Sequence, residues 1–89
     1  MNTKVENMRN NRGNTVPNQF IIQTEAGLYF QSYNSMIAFK PLSGKIQIDY
    51  KKWDYSTTTG KYRNQFLGET KKETEKKIAD GTYILTDLN

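Results

Sequence analysis

The sequence predicts an α+β domain, with a mostly antiparallel sheet of four to five strands and two short helices between strands 4 and 5. Three observations predict this class. Short apolar runs with a two-residue period alternate with turn residues over residues 19–50. The period then lengthens to that of a helix, and a last apolar run, Thr82–Thr86, follows. Consecutive strands followed by grouped helices favour a sheet whose helices cover one face.

Four strands are predicted before the helices, at Gln19–Thr24, Leu28–Tyr33, Met36–Lys40 and Lys45–Tyr50. Turn-forming residues separate them, including the Pro and Gly residues that precede the fourth strand. This fourth strand, KIQIDY, alternates most clearly. Its period predicts that Ile48 and Tyr50 face the core and that Asp49 faces solvent.

The first helix is indicated by two aromatic residues. Tyr62 and Phe66 are four residues apart, so both lie on the buried side of a helix that runs from about Thr57 to Leu67. Asp54 or Ser56 precedes this segment as its candidate N-cap.

The second helix has a clearer start signal. Thr70 and Glu73 match a capping box, and Glu73 can pair with Lys77 one turn later. Asp80-Gly81 predicts its end. The acidic residues around it, including Glu69, are expected to be solvated.

The length of 89 residues allows one domain. Residues 1–18 contain six Asn and no helical or strand period, so they are expected to form a flexible polar arm before a single domain over residues 19–89. The arm lacks the apolar segment of a signal peptide, and no run approaches the ~20 apolar residues of a membrane span. We therefore expect a cytoplasmic protein without a membrane partner.

The composition argues against most reactions. The chain has no Cys and no His, which removes the thiolate and imidazole ligands of metal sites and the usual general base. The segment ending in Gly60-Lys61 invites comparison with a phosphate-binding loop, but Tyr55 replaces the first Gly and Tyr62 replaces the Ser or Thr. We expect no catalytic residue, no metal and no cofactor, and hence no enzyme.

Residues 51–68 have two interpretations. These residues include four cationic side chains and one acidic side chain, and they therefore carry most of the net charge of +4. In the first interpretation the aromatic residues form the contact between sheet and helix, and the charges only solvate its edge. In the second, an exposed basic and hydroxyl face binds a partner. With Tyr62 and Phe66 buried, Lys61 and Asn64 are expected to point outward and Arg63 to lie at the boundary. The candidate binding residues are Lys51, Lys52, Trp53, Tyr55, Thr57, Lys61, Arg63 and Asn64.

The segment KKWDYSTTTGKYRNQFLGETKKETEKKI, followed by GTYILTDLN, resembles an uncharacterised family of small single-domain proteins encoded by bacteriophages and plasmids. The resemblance extends from about Ser35 to Asn89. It implies an accessory protein of a mobile element, acting in a bacterial cytoplasm, and it supplies no catalytic motif.

Three functions fit these observations. The first is binding to a host protein or nucleoprotein complex, such as a CRISPR effector or a restriction enzyme, to inhibit or modulate it. The alternative is direct nucleic-acid binding, with basic residues on phosphates and an aromatic ring on a base. The third is a homodimer, formed through an exposed edge strand at Gln19–Thr24 or Thr82–Thr86.

Overall fold

The computed structural model describes residues 3–89 of the chain. Over these residues one sheet contains six strands in chain order, β1 to β6. The first five strands pair antiparallel, whereas β6 pairs parallel with β5, because the chain returns through both helices before it reaches β6. The elements are β1 Lys4–Arg9, β2 Thr15–Thr24, β3 Gly27–Ser32, β4 Ser35–Pro41, β5 Gln47–Asp49, α1 Thr57–Leu67, α2 Lys71–Ala79 and β6 Ile84–Thr86.

The predicted architecture is wrong in strand number, in sheet type and in the position of the helices. Residues 3–89 form a six-stranded mixed sheet, not a mostly antiparallel sheet of four to five strands. The two helices follow the fifth strand, not the fourth. The difference arises from one additional strand at the N-terminal end and from the parallel pairing of β6.

The additional strand, β1, lies in the segment for which a flexible arm was expected. It pairs with β2 from Lys4↔Gln23 to Arg9↔Thr15, with a register shift around Met8. Met8 is 3% exposed and belongs to the core. Residues 1 and 2 of the expected arm lie outside the described residues.

The core lies between one face of the sheet and the helices. Tyr62 and Phe66 are buried there, which confirms their predicted orientation. The ring of Phe66 stacks on that of Phe30 in β3, with centroids 5.7 Å apart. The buried cluster consists of Met8, Phe30, Ile37, Ala38, Ile48, Tyr62, Phe66 and Tyr83.

The predicted orientations at the end of β5 are wrong, because the strand stops at Asp49 and the chain turns. Asp49 is 1% exposed, whereas Tyr50 is 49% exposed. The Asp49 carboxylate accepts hydrogen bonds from the backbone N–H groups of Lys51, Lys52 and Leu88, at 3.2, 2.8 and 2.8 Å. Burial opposes ionisation, but these hydrogen bonds hold the pKa of Asp49 below its ordinary value. Asp49 thus fixes the turn before α1 to the C-terminal residues.

Both helices begin as the sequence predicts. Ser56 caps α1 by accepting a hydrogen bond from the N–H of Thr59, and Thr70 and Glu73 form the capping box of α2. The charge pattern of α2 differs from the prediction, because Lys77 pairs with Glu69 at 2.6 Å and not with Glu73.

Glu69 is buried, contrary to the prediction of a solvated carboxylate. Its side chain is 3% exposed. It accepts hydrogen bonds from the hydroxyl groups of Thr74 and Tyr83, at 2.6 and 2.7 Å, in addition to the Lys77 ammonium group. Glu69 therefore holds α2 against the segment that leads into β6.

Candidate functional site

An open groove runs beside α1, with a volume of about 560 Å³. The loop before α1, one face of α1 and the first residue of α2 form its walls. Four of the predicted binding residues line it, namely Thr57, Lys61, Arg63 and Asn64. The other lining residues are Asp54, Ser56, Gly60 and Lys71.

Arg63 is buried, so its expected position at the exposed boundary is wrong. Its side chain is 1% exposed. One terminal nitrogen, Nη1, donates to the carbonyl oxygen of Trp53 at 2.6 Å and to Oδ1 of Asp54 at 3.0 Å, and Nη2 donates to Oδ1 of Asn64 at 2.9 Å. Arg63 can be buried because the preceding loop and the neighbouring Asn64 offer these acceptors to its planar guanidinium group. It holds the loop in place rather than presenting a charge to solvent.

Asp54 connects the two helices at the groove. Its carboxylate contacts Nη1 of Arg63 at 3.0 Å and Nζ of Lys71 at 2.6 Å. Burial raises the pKa of Asp54, but hydrogen bonds from Lys71 and Arg63 outweigh it and hold that pKa below the ordinary value. Two of the three cations of the groove are therefore neutralised in part, and the third, Lys61, forms no salt bridge within residues 3–89.

The turn that follows β5 presents aromatic rings and lysines together. Tyr50 and Tyr55 are 49% and 42% exposed. Nζ of Lys51 lies 5.5 Å from the centre of the Tyr50 ring, and Nζ of Lys52 lies 5.2 Å from that of Tyr55. These are cation–π distances. We call this exposed set, with Lys61 of α1, the basic rim: Tyr50, Lys51, Lys52, Tyr55 and Lys61.

Trp53 is partly buried against the core. The guanidinium carbon of Arg63 lies 5.0 Å from the centre of its ring. Its carbonyl oxygen also accepts a hydrogen bond from Arg63. Trp53 is thus a packing residue of the loop, and of the predicted aromatic candidates only Tyr55 is exposed.

The predicted hydroxyl candidate, Thr57, is exposed, whereas its neighbours Ser56 and Thr59 use their hydroxyl groups inside the protein. Thr59 is fully buried, and its hydroxyl group lies 2.8 Å from that of Ser32 in β3. The hydroxyl group of Ser56 donates to Oγ1 of Thr59 at 2.9 Å. Thr57 and Thr58 remain exposed at the start of α1.

Sequence reasoning missed two contributors to this surface. Tyr50 was predicted to be buried, because the alternation of β5 was extended one residue beyond its end. Lys71 had no signal in the sequence, since its partner Asp54 lies in a different element and the two meet only after folding.

The site offers ammonium groups, phenol rings and hydroxyl groups to solvent. Among residues 3–89 no group of three or more acidic residues is placed to hold a metal ion. Over the same residues neither helix is long and apolar enough to cross a membrane. The groups that are exposed suit contact with an anionic or aromatic surface.

A family model, described as a family of unknown function (DUF8033), matches residues 3–81. Neither the curated proteins nor the solved structures gave a match to the chain.

Proposed function

The chain belongs to the family of unknown function DUF8033, and we propose that it acts by binding and not by catalysis. In this proposal it is an accessory protein of bacteriophages or plasmids. Its target is a host protein or nucleoprotein complex, such as a CRISPR effector or a restriction enzyme, which it inhibits or modulates in the bacterial cytoplasm. The mobile-element context rests on the resemblance of residues 35–89.

The observation that carries the proposal is the basic rim. Lys51, Lys52 and Lys61 are exposed and form no salt bridge within residues 3–89. Exposed charges of this kind contribute little to folding but steer a partner of opposite charge and fix its register. Lys51 and Lys52 belong to the loop before α1. Arg63 fixes this loop through hydrogen bonds to the carbonyl oxygen of Trp53 and the carboxylate of Asp54, so the surface is organised before binding.

The test is co-precipitation of host components from the lysate of a susceptible bacterium, followed by charge reversal. Lys52→Glu combined with Lys61→Glu reverses two charges of the basic rim. Lys45→Glu combined with Lys76→Glu is the matched control, because these exposed lysines lie near Asp80 at the end of α2. We expect the wild-type chain and the control to retain a host component that the rim variant loses. Equal retention by both variants, or no retained component, would contradict the proposal.

A second candidate is direct nucleic-acid binding, favoured by the exposed rings of Tyr50 and Tyr55 beside Lys51 and Lys52. A phenol ring stacks on a base while a lysine contacts the phosphate. Because Arg63 is buried, about three phosphate contacts are expected, which gives a log–log salt slope of about −3 on duplex DNA. A salt titration with labelled DNA measures this slope, and affinity that is independent of salt would exclude this candidate.

A further inference from the structure

The face of the sheet away from the helices, here called the outer face, carries a continuous row of side chains. The backbone register aligns one residue from each strand, and partners in register point to the same side of a sheet. The row consists of Val5, Ile22, Tyr29, Phe39, Gln47 and Ile84. Five of these six residues are apolar or aromatic, and the row crosses the whole sheet from edge to edge.

The row shares no residue with the buried cluster or with the partly buried residues packed against it. At its centre the rings of Tyr29 and Phe39 stack, with centroids 4.2 Å apart. At its two ends Val5 and Ile84 are 58% and 45% exposed. The row therefore faces solvent at these two ends, whereas Phe39 at its centre is 8% exposed and is covered in part by the Tyr29 ring.

The rows on either side of it also lack charge. One contains Asn7, Phe20, Gln31 and Met36, and the other contains Thr24, Gly27 and Pro41. A solvated face of an antiparallel sheet normally carries polar residues, and 25% of the residues of this chain are charged. Depletion of charge together with aromatic rings and Met is instead typical of the core of a protein interface.

Asp49 is the charged residue nearest to these rows in β5, and it does not interrupt them. It is 1% exposed, and backbone N–H groups surround its carboxylate. The outer face therefore presents no exposed charge along its three rows.

We propose that the outer face binds the outer face of a second copy of the chain, as a homodimer of two sheets packed face to face. Each copy has a net charge of +4, so self-association through a charged surface would be repulsive, whereas this uncharged face is complementary to itself. Two sheets packed in this way lie about 10 Å apart with their strands within about 30° of each other. A row that runs from edge to edge is then buried by the same row of the partner.

The dimensions of the molecule are compatible with this dimer. It measures 34 × 32 × 20 Å, so its broadest face is about 34 × 32 Å. The broad face accommodates the ~800 Å² that each partner contributes to an interface of standard size. Face-to-face packing leaves both helical layers outside, separated by more than the Debye length of about 8 Å, so the lysines of α1 and α2 do not repel across the dimer.

Neighbouring residues of β6 provide a matched pair of variants. Ile84 belongs to the row, whereas Leu85 pairs with Ile48 and faces the other side of the sheet. The two are equally exposed, at 45% and 44%. Sedimentation of the full chain up to about 1 mM detects even a homodimer of millimolar Kd. We expect a dimer that Ile84→Glu weakens by about tenfold or more, because the new carboxylate loses water in the interface. Leu85→Glu should leave the dimer unchanged.

A second measurement uses the absence of cysteine from the chain. Gln31→Cys places one thiol near the centre of the outer face, and Thr58→Cys places one on the exposed side of α1. Under mild oxidation, Gln31→Cys should form a covalent dimer faster than Thr58→Cys. A chain that stays monomeric at every concentration overturns the proposal. Equal weakening by Ile84→Glu and Leu85→Glu also overturns it, since this result assigns association to the β6 edge.

Discussion

At the scale of single residues, one buried cation determines the shape of the loop between β5 and α1. Arg63 reaches from α1 to the carbonyl oxygen of Trp53 and the carboxylate of Asp54. A lysine would replace the planar fork of donors by a single ammonium group and would not reproduce both contacts. The loop conformation thus depends on the geometry of the guanidinium group as well as on its charge.

We expect Arg63→Met to lower the free energy of unfolding by about 2–4 kcal/mol, because it removes charge-assisted hydrogen bonds and leaves Asp54 with one cationic partner. Urea unfolding at neutral pH measures the change. Lys61→Met, in the same helix but exposed, is the control and should alter stability by less than about 0.5 kcal/mol. Similar effects of both substitutions would contradict the structural role of Arg63.

The ionisation of Glu69 makes the free energy of unfolding depend on pH. Burial raises its pKa, but hydrogen bonds from Lys77, Thr74 and Tyr83 outweigh this, so the folded-state pKa lies below the ordinary value of 4.5. A carboxyl whose pKa is depressed by folding contributes stability above its unfolded-state pKa, and this contribution is lost as pH falls through the folded-state value.

The free energy of unfolding should therefore decrease as pH falls below about 4.5. Glu69→Gln removes one titrating group and should give a shallower decrease, together with lower stability at pH 7. Asp49 and Asp54, whose pKa values are also lowered, should maintain the remaining slope. Urea unfolding at several pH values tests this expectation, which an unchanged slope in the variant would refute.

At the scale of elements, the features predicted correctly are those that depend on neighbours in the chain. The capping box of Thr70 and Glu73 and the helical spacing of Tyr62 and Phe66 are local patterns, and both are confirmed. Strand β1 has no such pattern, because the residues KVENMR are mostly exposed and the strand exists through backbone pairing with β2. Pairing between distant segments of the chain produces little local pattern in the amino-acid sequence of either segment.

The same distinction applies to the candidate site. Lys61 is exposed as its helical position predicts, since α1 follows the predicted period. Arg63 lies three residues before Phe66, so the helical period itself places it on the buried side of α1. The acceptors that bind its guanidinium group, and the pairing of Asp54 with Lys71, depend instead on how a loop folds over the helix. The spacing of residues in the sequence does not contain this information.

Met8 tests whether β1 is part of the folded unit. It is 3% exposed within the core cluster. Met8→Ala should lower the free energy of unfolding by about 2–5 kcal/mol, as other large-to-small core substitutions do. Lys4→Ala in the same strand, whose side chain is 67% exposed, is the control and should change it little. If residues 1–18 formed a flexible arm, neither substitution would affect thermal or urea unfolding.

At the scale of the whole molecule, the sheet and the helices share one core. Tyr62 and Phe66 of α1 pack in the same cluster as Phe30, Ile37 and Ile48 of the sheet. Neither layer buries its apolar side chains without the other. We therefore expect the chain to unfold as a single cooperative unit.

The single tryptophan provides the measurement. Trp53 reports on the loop beside α1, and far-UV circular dichroism reports on the helices and the sheet together. The two signals should change with the same midpoint in urea, and Arg63→Met should shift both midpoints equally. Separate transitions would mean that the loop and α1 detach before the sheet unfolds.

The parallel pairing of β6 with β5 has a consequence for the folding pathway. Short turns join each of the strands β1 to β5 to the next. The pairing of Gln47 in β5 with Ile84 in β6 instead closes a long loop that contains both helices. The entropy lost on closing a loop increases with its length, and distant contacts slow folding. We expect the antiparallel strands to assemble before the rate-limiting barrier and β6 to dock after it. Substitutions in β6 should then accelerate unfolding and leave the refolding rate nearly unchanged.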